Sequence, residues 1–230
     1  MKERGLLMTS GNAQQILADV KTRTRRIMDV QPQACHRISK DPGGSPSGWS
    51  LIADAYDDEP LTNRFGKPGD RLWIREDHYR IGHWELVPGV LTKGGRPKWR
   101  FVADREDVLF EFARPFLSRV KGHEGESLCY KRLGRFMPRS LCRLVVEVVD
   151  VRPCRLQDIT DAQAIAEGVH RRGEEWKDYT NVFGTCLTPR ASFRTLWQSI
   201  NRMDSWDQNP WVWDVSFRRV PGAEKGDFHG

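Results

Sequence analysis

No run of about 18 apolar residues occurs anywhere in this chain, so no membrane-spanning helix is expected. Cysteine is sparse: Cys35, Cys129, Cys142, Cys154 and Cys186 are scattered, with no C-x-x-C pair. Their number is odd, which argues against a disulfide framework, and their spacing argues against a structural zinc site. Free thiols in a reducing compartment are the expected use, and the cytoplasm the expected address. The stretch Met1-Lys-Glu-Arg-Gly-Leu-Leu-Met8 has too little apolar length for a secretion signal. His78, His83 and His123 lack metal-ligand spacing, so they are expected to be structural or exposed, and no metal or organic cofactor is expected. G-x-S-x-G, a P-loop and G-x-G-x-x-G are all missing, which removes the main support for serine hydrolase, NTPase and dinucleotide-binding classes.

The 230 residues that remain to be explained are 38% hydrophobic and 30% charged, enough for a substantial core under a polar surface. Lysine and arginine number 37 against 31 acidic residues, a formal charge of +6. That excess is compatible with a polyanionic partner but does not identify one.

Periodicity and punctuation place the elements. A short helix is predicted from about Gly11 to Asp19, with Ser10 at its N-cap and an apolar stripe of Ile16, Leu17 and Val20. Lys67-Pro-Gly-Asp70 has type II turn chemistry and launches a strand over Arg71 to Glu76. From His78 to Phe136 the pattern weakens, and only a short strand near Trp99 to Val102 is expected. Leu141 to Val151 reads as a strand. Asp158 to Gly168 reads as a short helix, with Thr160 and Gln163 at capping-box spacing and Gly168 as its stop. Ser192 to Ile200 is a further amphipathic helix. Trp211 to Phe217 alternates, which would place Trp211, Trp213, Val215 and Phe217 on one strand face. Trp197, Trp211 and Trp213 are expected to be core. Short strands without a βαβ rhythm predict an α+β, mostly β fold: a small antiparallel barrel with helices outside.

Two regions carry chemistry. Lys21-Thr-Arg-Thr-Arg25-Arg26 follows the first helix, and its threonines branch at Cβ and favour an extended backbone. A lysine there, with the Thr24 hydroxyl three residues on, suits an anionic or carbonyl-bearing ligand. Glu167 ends the later helix, where the macrodipole makes a carboxylate cost about 0.3–1 kcal/mol and suits it to proton transfer. If the two regions meet, Lys21, Thr24 and Glu167 form a compact hydrolytic set. Trp73 or Trp84 could stack on a base.

Five blocks of sequence resemble the ASCH family of the PUA-like superfamily, above all its members carried by phages and prophages. They are the helix with Lys21-Thr-Arg-Thr-Arg25-Arg26, Pro68 to Glu76, Met137 to Arg143, Leu156 to Val169, and Asn209 to Trp213. The resemblance implies one PUA-like β-barrel domain over residues 1–220, with a cleft near the first helix; the Gly- and charge-rich stretch 221–230 is expected to be a frayed tail. It also implies binding of RNA or a modified nucleoside. Small bacterial ASCH proteins include amidohydrolases that remove the acetyl group of N4-acetylcytidine with a Lys and a Thr of a K-T-x-T motif and a Glu ending a short helix. The matching residues are Lys21, Thr24 and Glu167. The ligand-contacting set expected around these residues is Thr22, Arg23, Arg25, Arg26, Trp73, Arg75 and Glu76. This chain departs from the small enzymes in reading Ala18-Asp-Val20 before Lys21, where they commonly have Gly. It is also longer, with loop-rich insertions at about 31–60 and 76–136.

Three alternatives stand beside the amidohydrolase: a non-catalytic module reading RNA or a modified base, a ribonuclease, and a structural role in phage assembly. In the first, Arg23, Arg25, Arg26 and Arg75 would form the cationic surface. RNA, DNA and a free nucleoside are not distinguished by these residues, nor is self-association.

Overall fold

Strand outweighs helix in the computed structural model, which describes residues 1–32, 37–40, 49–52 and 58–222. In chain order the elements are β1 (Glu3–Leu7), α1 (Ser10–Leu17), β2 (Arg23–Ile27), β3 (Arg37–Lys40), β4 (Trp49–Ile52), β5 (Asp58–Pro60) and β6 (Arg71–Arg75). Then come β7 (His78–Leu91), β8 (Pro97–Ala103), β9 (Leu128–Arg132), β10 (Val145–Arg155) and α2 (Asp161–Ala166). The last are β11 (Arg171–Arg172), β12 (Glu175–Lys177), β13 (Thr185–Cys186), α3 (Pro189–Ile200) and β14 (Trp211–Arg219). Among the described residues no helix is long and apolar enough to cross a membrane.

The chain divides into two compact units, one of residues 1–6, 11–74 and 143–230, the other of residues 7–10 and 75–142. The first is built on a five-stranded sheet in the order β1-β6-β10-β14-β2. Its centre is the long antiparallel ladder of β10 with β14, which runs from Val146↔Arg219 to Arg155↔Trp211 with a bulge between Val148 and Asp150. Val145, Val146, Val148 and Val151 of β10 are buried, whereas Val149, next to the bulge, is exposed. The type II turn before β6 is present: Gly69 has φ +87° and Asp70 N donates to Lys67 O at 2.9 Å.

The expected barrel is not closed. β1 and β2 are the two edges of the sheet, and no ladder joins them among the described residues. The approach to β2 is tied elsewhere, because Thr22 N donates to Ala166 O at the end of α2. β14 also differs from a one-sided strand: Val212, Trp213, Asp214 and Val215 are all buried, so both of its faces are covered, while Trp211 is half-buried.

α2 and α3 pack over one end of this sheet around Leu156, Ile159, Phe193, Trp197, Trp206 and Val212. α2 begins with a capping box: Thr160 Oγ1 accepts from Gln163 N at 3.2 Å and Gln163 Oε1 accepts from Thr160 N at 3.1 Å. Thr160→Ala is expected to cost about 1 kcal/mol in thermal denaturation, the usual loss of an N-cap.

The predicted insertion at about 31–60 contains a three-stranded sheet, β3-β4-β5. The Pro/Gly-rich run from Asp41 lies outside the described residues, as do Cys35 and the tail from 223. The second unit holds the region expected to be irregular. It has instead a three-stranded sheet, β8-β7-β9, whose central strand is 14 residues long. β7 carries few fully buried positions on either face, so its sequence shows no alternation for a period-2 reading to detect.

Candidate functional site in the first unit

Lys21 and Glu167 meet. Lys21 Nζ lies 2.9 Å from Glu167 Oε2 and donates to the Glu167 backbone carbonyl at 2.6 Å. Each residue is only 3% exposed, so the pair is shielded from solvent.

Two helix endings bring them together. After α1 the chain turns through Asp19, whose φ is +55°, and the carbonyl of Gln15 accepts from the amides of both Val20 and Lys21. Glu167 caps the C-terminus of α2, and Gly168 follows at φ +85°. A side chain at position 168 would be strained by that angle, and its Cβ would sit 3.2 Å from the Lys21 Cβ. Glycine here therefore both stops the helix and lets the Lys21 stem approach it.

The electrostatics around the pair are crowded with cations. Arg25 Nη1 lies 4.0 Å from Glu167 Oε1, and Arg25 Nη2 donates to Gln163 Oε1 at 3.0 Å. Gln163 thus holds the start of α2 and the Arg25 guanidinium with one oxygen. Burial lowers the Lys21 amine below the ordinary lysine range; Glu167 opposes this, and the charge of Arg26 adds to it. Burial likewise disfavours the charge on Arg26, again against the attraction of Glu167. One carboxylate thus faces three cationic side chains in a desolvated setting.

Thr24 is buried on β2 and makes no side-chain hydrogen bond with Lys21 or Glu167 among the described residues. Of the other candidates in this unit, Thr22 is exposed, Arg23 and Arg26 are half-buried on β2, and Trp73 is half-buried opposite Val145 on β6. Arg25 is buried, with its side chain 1% exposed, so in this conformation it presents no charge to an outside phosphate. Arg75 and Glu76 belong to the second unit. There Arg75 Nε donates to Gly134 O at 3.3 Å, and Glu76 is fully buried.

Reading the sequence missed Asp214. It is 1% exposed, and its Oδ2 receives Arg23 Nη1 at 2.5 Å, Arg152 Nε at 3.3 Å and Arg25 Nη2 at 3.5 Å. Asp214 pairs with Arg25 in the β14–β2 register, which sets both side chains on one face. The available signal was a lone carboxylate inside the otherwise apolar run of β14, a residue type rarely buried without a partner. Cys154 is no candidate nucleophile, because burial pushes its thiol up. Among the described residues no group of three or more His, Cys, Asp or Glu is placed to hold a metal ion.

Comparison with protein-family models, with curated proteins and with solved structures found no match to this chain.

Proposed function

We propose that the first unit is an ASCH-like amidohydrolase acting on an N-acylated nucleoside of the N4-acetylcytidine type. The observation that carries this reading is the buried contact of 2.9 Å between Lys21 Nζ and Glu167 Oε2, joining the two blocks that resemble the ASCH motif. The PUA-like assignment rests on those blocks, with the five-stranded sheet as its framework.

In the reaction, water adds to the acyl carbonyl carbon, the C–N bond breaks, and the free exocyclic amine and a carboxylate leave. Lys21 stabilises the negative charge that develops on the carbonyl oxygen through the one ammonium donor not used on the Glu167 carbonyl and carboxylate. Glu167 takes a proton from the attacking water and delivers it to the leaving nitrogen. Thr24, in the motif position of the hydroxyl, orients the water, or attacks in its stead to form an ester that water then hydrolyses to the carboxylate.

Lys21→Ala is expected to lower hydrolysis of N4-acetylcytidine at least about 100-fold, the lower end for loss of a positioned catalytic group. Liberation of cytidine, followed by chromatography, measures it, and equal rates from wild type and variant would sink the reading. The rate also has a sign to check against pH. Lys21 must be charged to stabilise an oxyanion, and burial lowers its pKa, so activity falls on the alkaline side before the ordinary lysine range is reached.

A second reading is favoured by the closed state of the pair, each member 3% exposed and satisfied by the other. In it the first unit binds RNA or a modified base without turnover, through the more accessible Thr22 and Arg23. Salt-dependent RNA binding that survives Lys21→Ala, with no product formed, distinguishes this from catalysis.

A further inference from the structure

The second unit has a half-open pocket of about 630 Å³, within the range of small-ligand sites. Its wall contains four cationic side chains, Arg80, Arg119, Lys131 and Arg132, and no aspartate or glutamate. Two of the four are neutralised nearby: Lys131 by Asp77 at 2.8 Å, and Arg119 by Glu124. The other two are not. Arg80 Nη2 donates only to a neutral oxygen, the Arg105 carbonyl, at 2.8 Å, and its Nε is a buried donor without a partner. Arg132 stacks over Phe101 at 4.7 Å and Trp84 at 5.7 Å, and its side chain has neither a hydrogen bond nor a carboxylate among the described residues.

Stacking uses the face of a guanidinium and leaves its edge donors available. The Arg80 charge bears on Arg132 and disfavours its protonated form, together with burial. His78, also on the wall, is held toward its neutral form by burial and by both arginines. Two crowded guanidiniums with no acid between them are stabilised when an anion enters, and the buried Trp84 Nε1 is a further donor without a partner. The rim is apolar and open to water: Phe136 is 71% and Leu117 78% exposed, and both line the cavity. Inorganic phosphate would fill little of this volume and leave that rim wet.

We propose that the second unit carries a binding pocket for a mononucleotide-class ligand, an aromatic base bearing a phosphate. Arg132 and Arg80 hold the phosphate, and Phe136 and Leu117 cover the base. This site is independent of the reaction assigned to Lys21 and Glu167.

Calorimetric titration of the full chain with UMP, uridine, inorganic phosphate and a uridine tetranucleotide tests it. UMP is expected to bind at least about tenfold more tightly than uridine or phosphate alone, since only UMP engages both the charged and the apolar wall. Arg132→Gln is expected to weaken UMP at least tenfold, and Phe136→Ser, on an exposed side chain, several-fold with the fold intact. Lys21→Ala leaves UMP affinity unchanged. A per-nucleotide advantage of the tetranucleotide assigns the pocket to a strand, and its lack assigns it to the free nucleotide; both carry the proposal. UMP binding no tighter than uridine or phosphate, full affinity in Phe136→Ser, or loss of affinity in Lys21→Ala would overturn it.

Discussion

Glu167→Gln is expected to remove about 3–5 kcal/mol of folding stability, while Lys21→Met removes markedly less, about 1–3 kcal/mol. The asymmetry follows from the count of charges around the carboxylate. Without Glu167, the Lys21 ammonium, 3% exposed, has lost its counter-charge, and Arg25 and Arg26 remain beside it. Without Lys21, the carboxylate still has Arg25 Nη1 at 4.0 Å and the attraction of Arg26. The double replacement Lys21→Met with Glu167→Leu should recover part of the single Glu167 loss, because it no longer strands the ammonium. It should not recover all of it, since two guanidiniums still face an apolar site. Urea denaturation of the two single variants and the double variant gives the coupling directly. Equal losses from the single variants, with complete recovery in the double, would mean an isolated pair on which the arginines do not act.

The same grouping shows which parts of the site can be read from sequence. Lys21 and Glu167 stand out because each follows or ends a helix with local punctuation, Thr160 and Gln163 at one end of α2 and Gly168 at the other. Asp214 does not stand out, because its meaning depends on register. It lies 189 positions from Arg25, and only the pairing of β14 with β2 sets the two side by side. That pairing also turns Arg25 from an expected surface cation into a buried one. Closure of the sheet is likewise a tertiary property: Thr22 binds the end of α2 through backbone atoms, which no side-chain pattern records. β7 escapes a period-2 reading for a further reason, since its faces are both half-exposed and it is held mainly by the ladders to β8 and β9.

Gly82→Ala in β7 is expected to have the largest effect in the second unit. Gly82 pairs with Ala103 on one side and with Leu128 on the other, so it is a central-strand position. A Cβ built there would lie 2.1 Å from the Val102 carbonyl oxygen and 2.6 Å from Phe101 Cζ. The ring could turn away, but the carbonyl belongs to the neighbouring strand and can retreat only if the β7–β8 ladder opens. Overpacking a core usually costs about 1–3 kcal/mol, and a clash with backbone belongs at or above the top of that range. Phe101 and Ala103 also line the cavity, so the displaced strand deforms the wall against which Arg132 stacks. Gly94→Ala is the matched control, because a Cβ at that turn position meets nothing within 4 Å. Hydrogen exchange should show lost protection of β8 amides in Gly82→Ala and none in Gly94→Ala, with UMP affinity falling at least about tenfold only in the former. Native protection of β8 in Gly82→Ala would mean that the two strands are not in the register that forces glycine at this position, and the aromatic wall would have to be rebuilt from a different pairing.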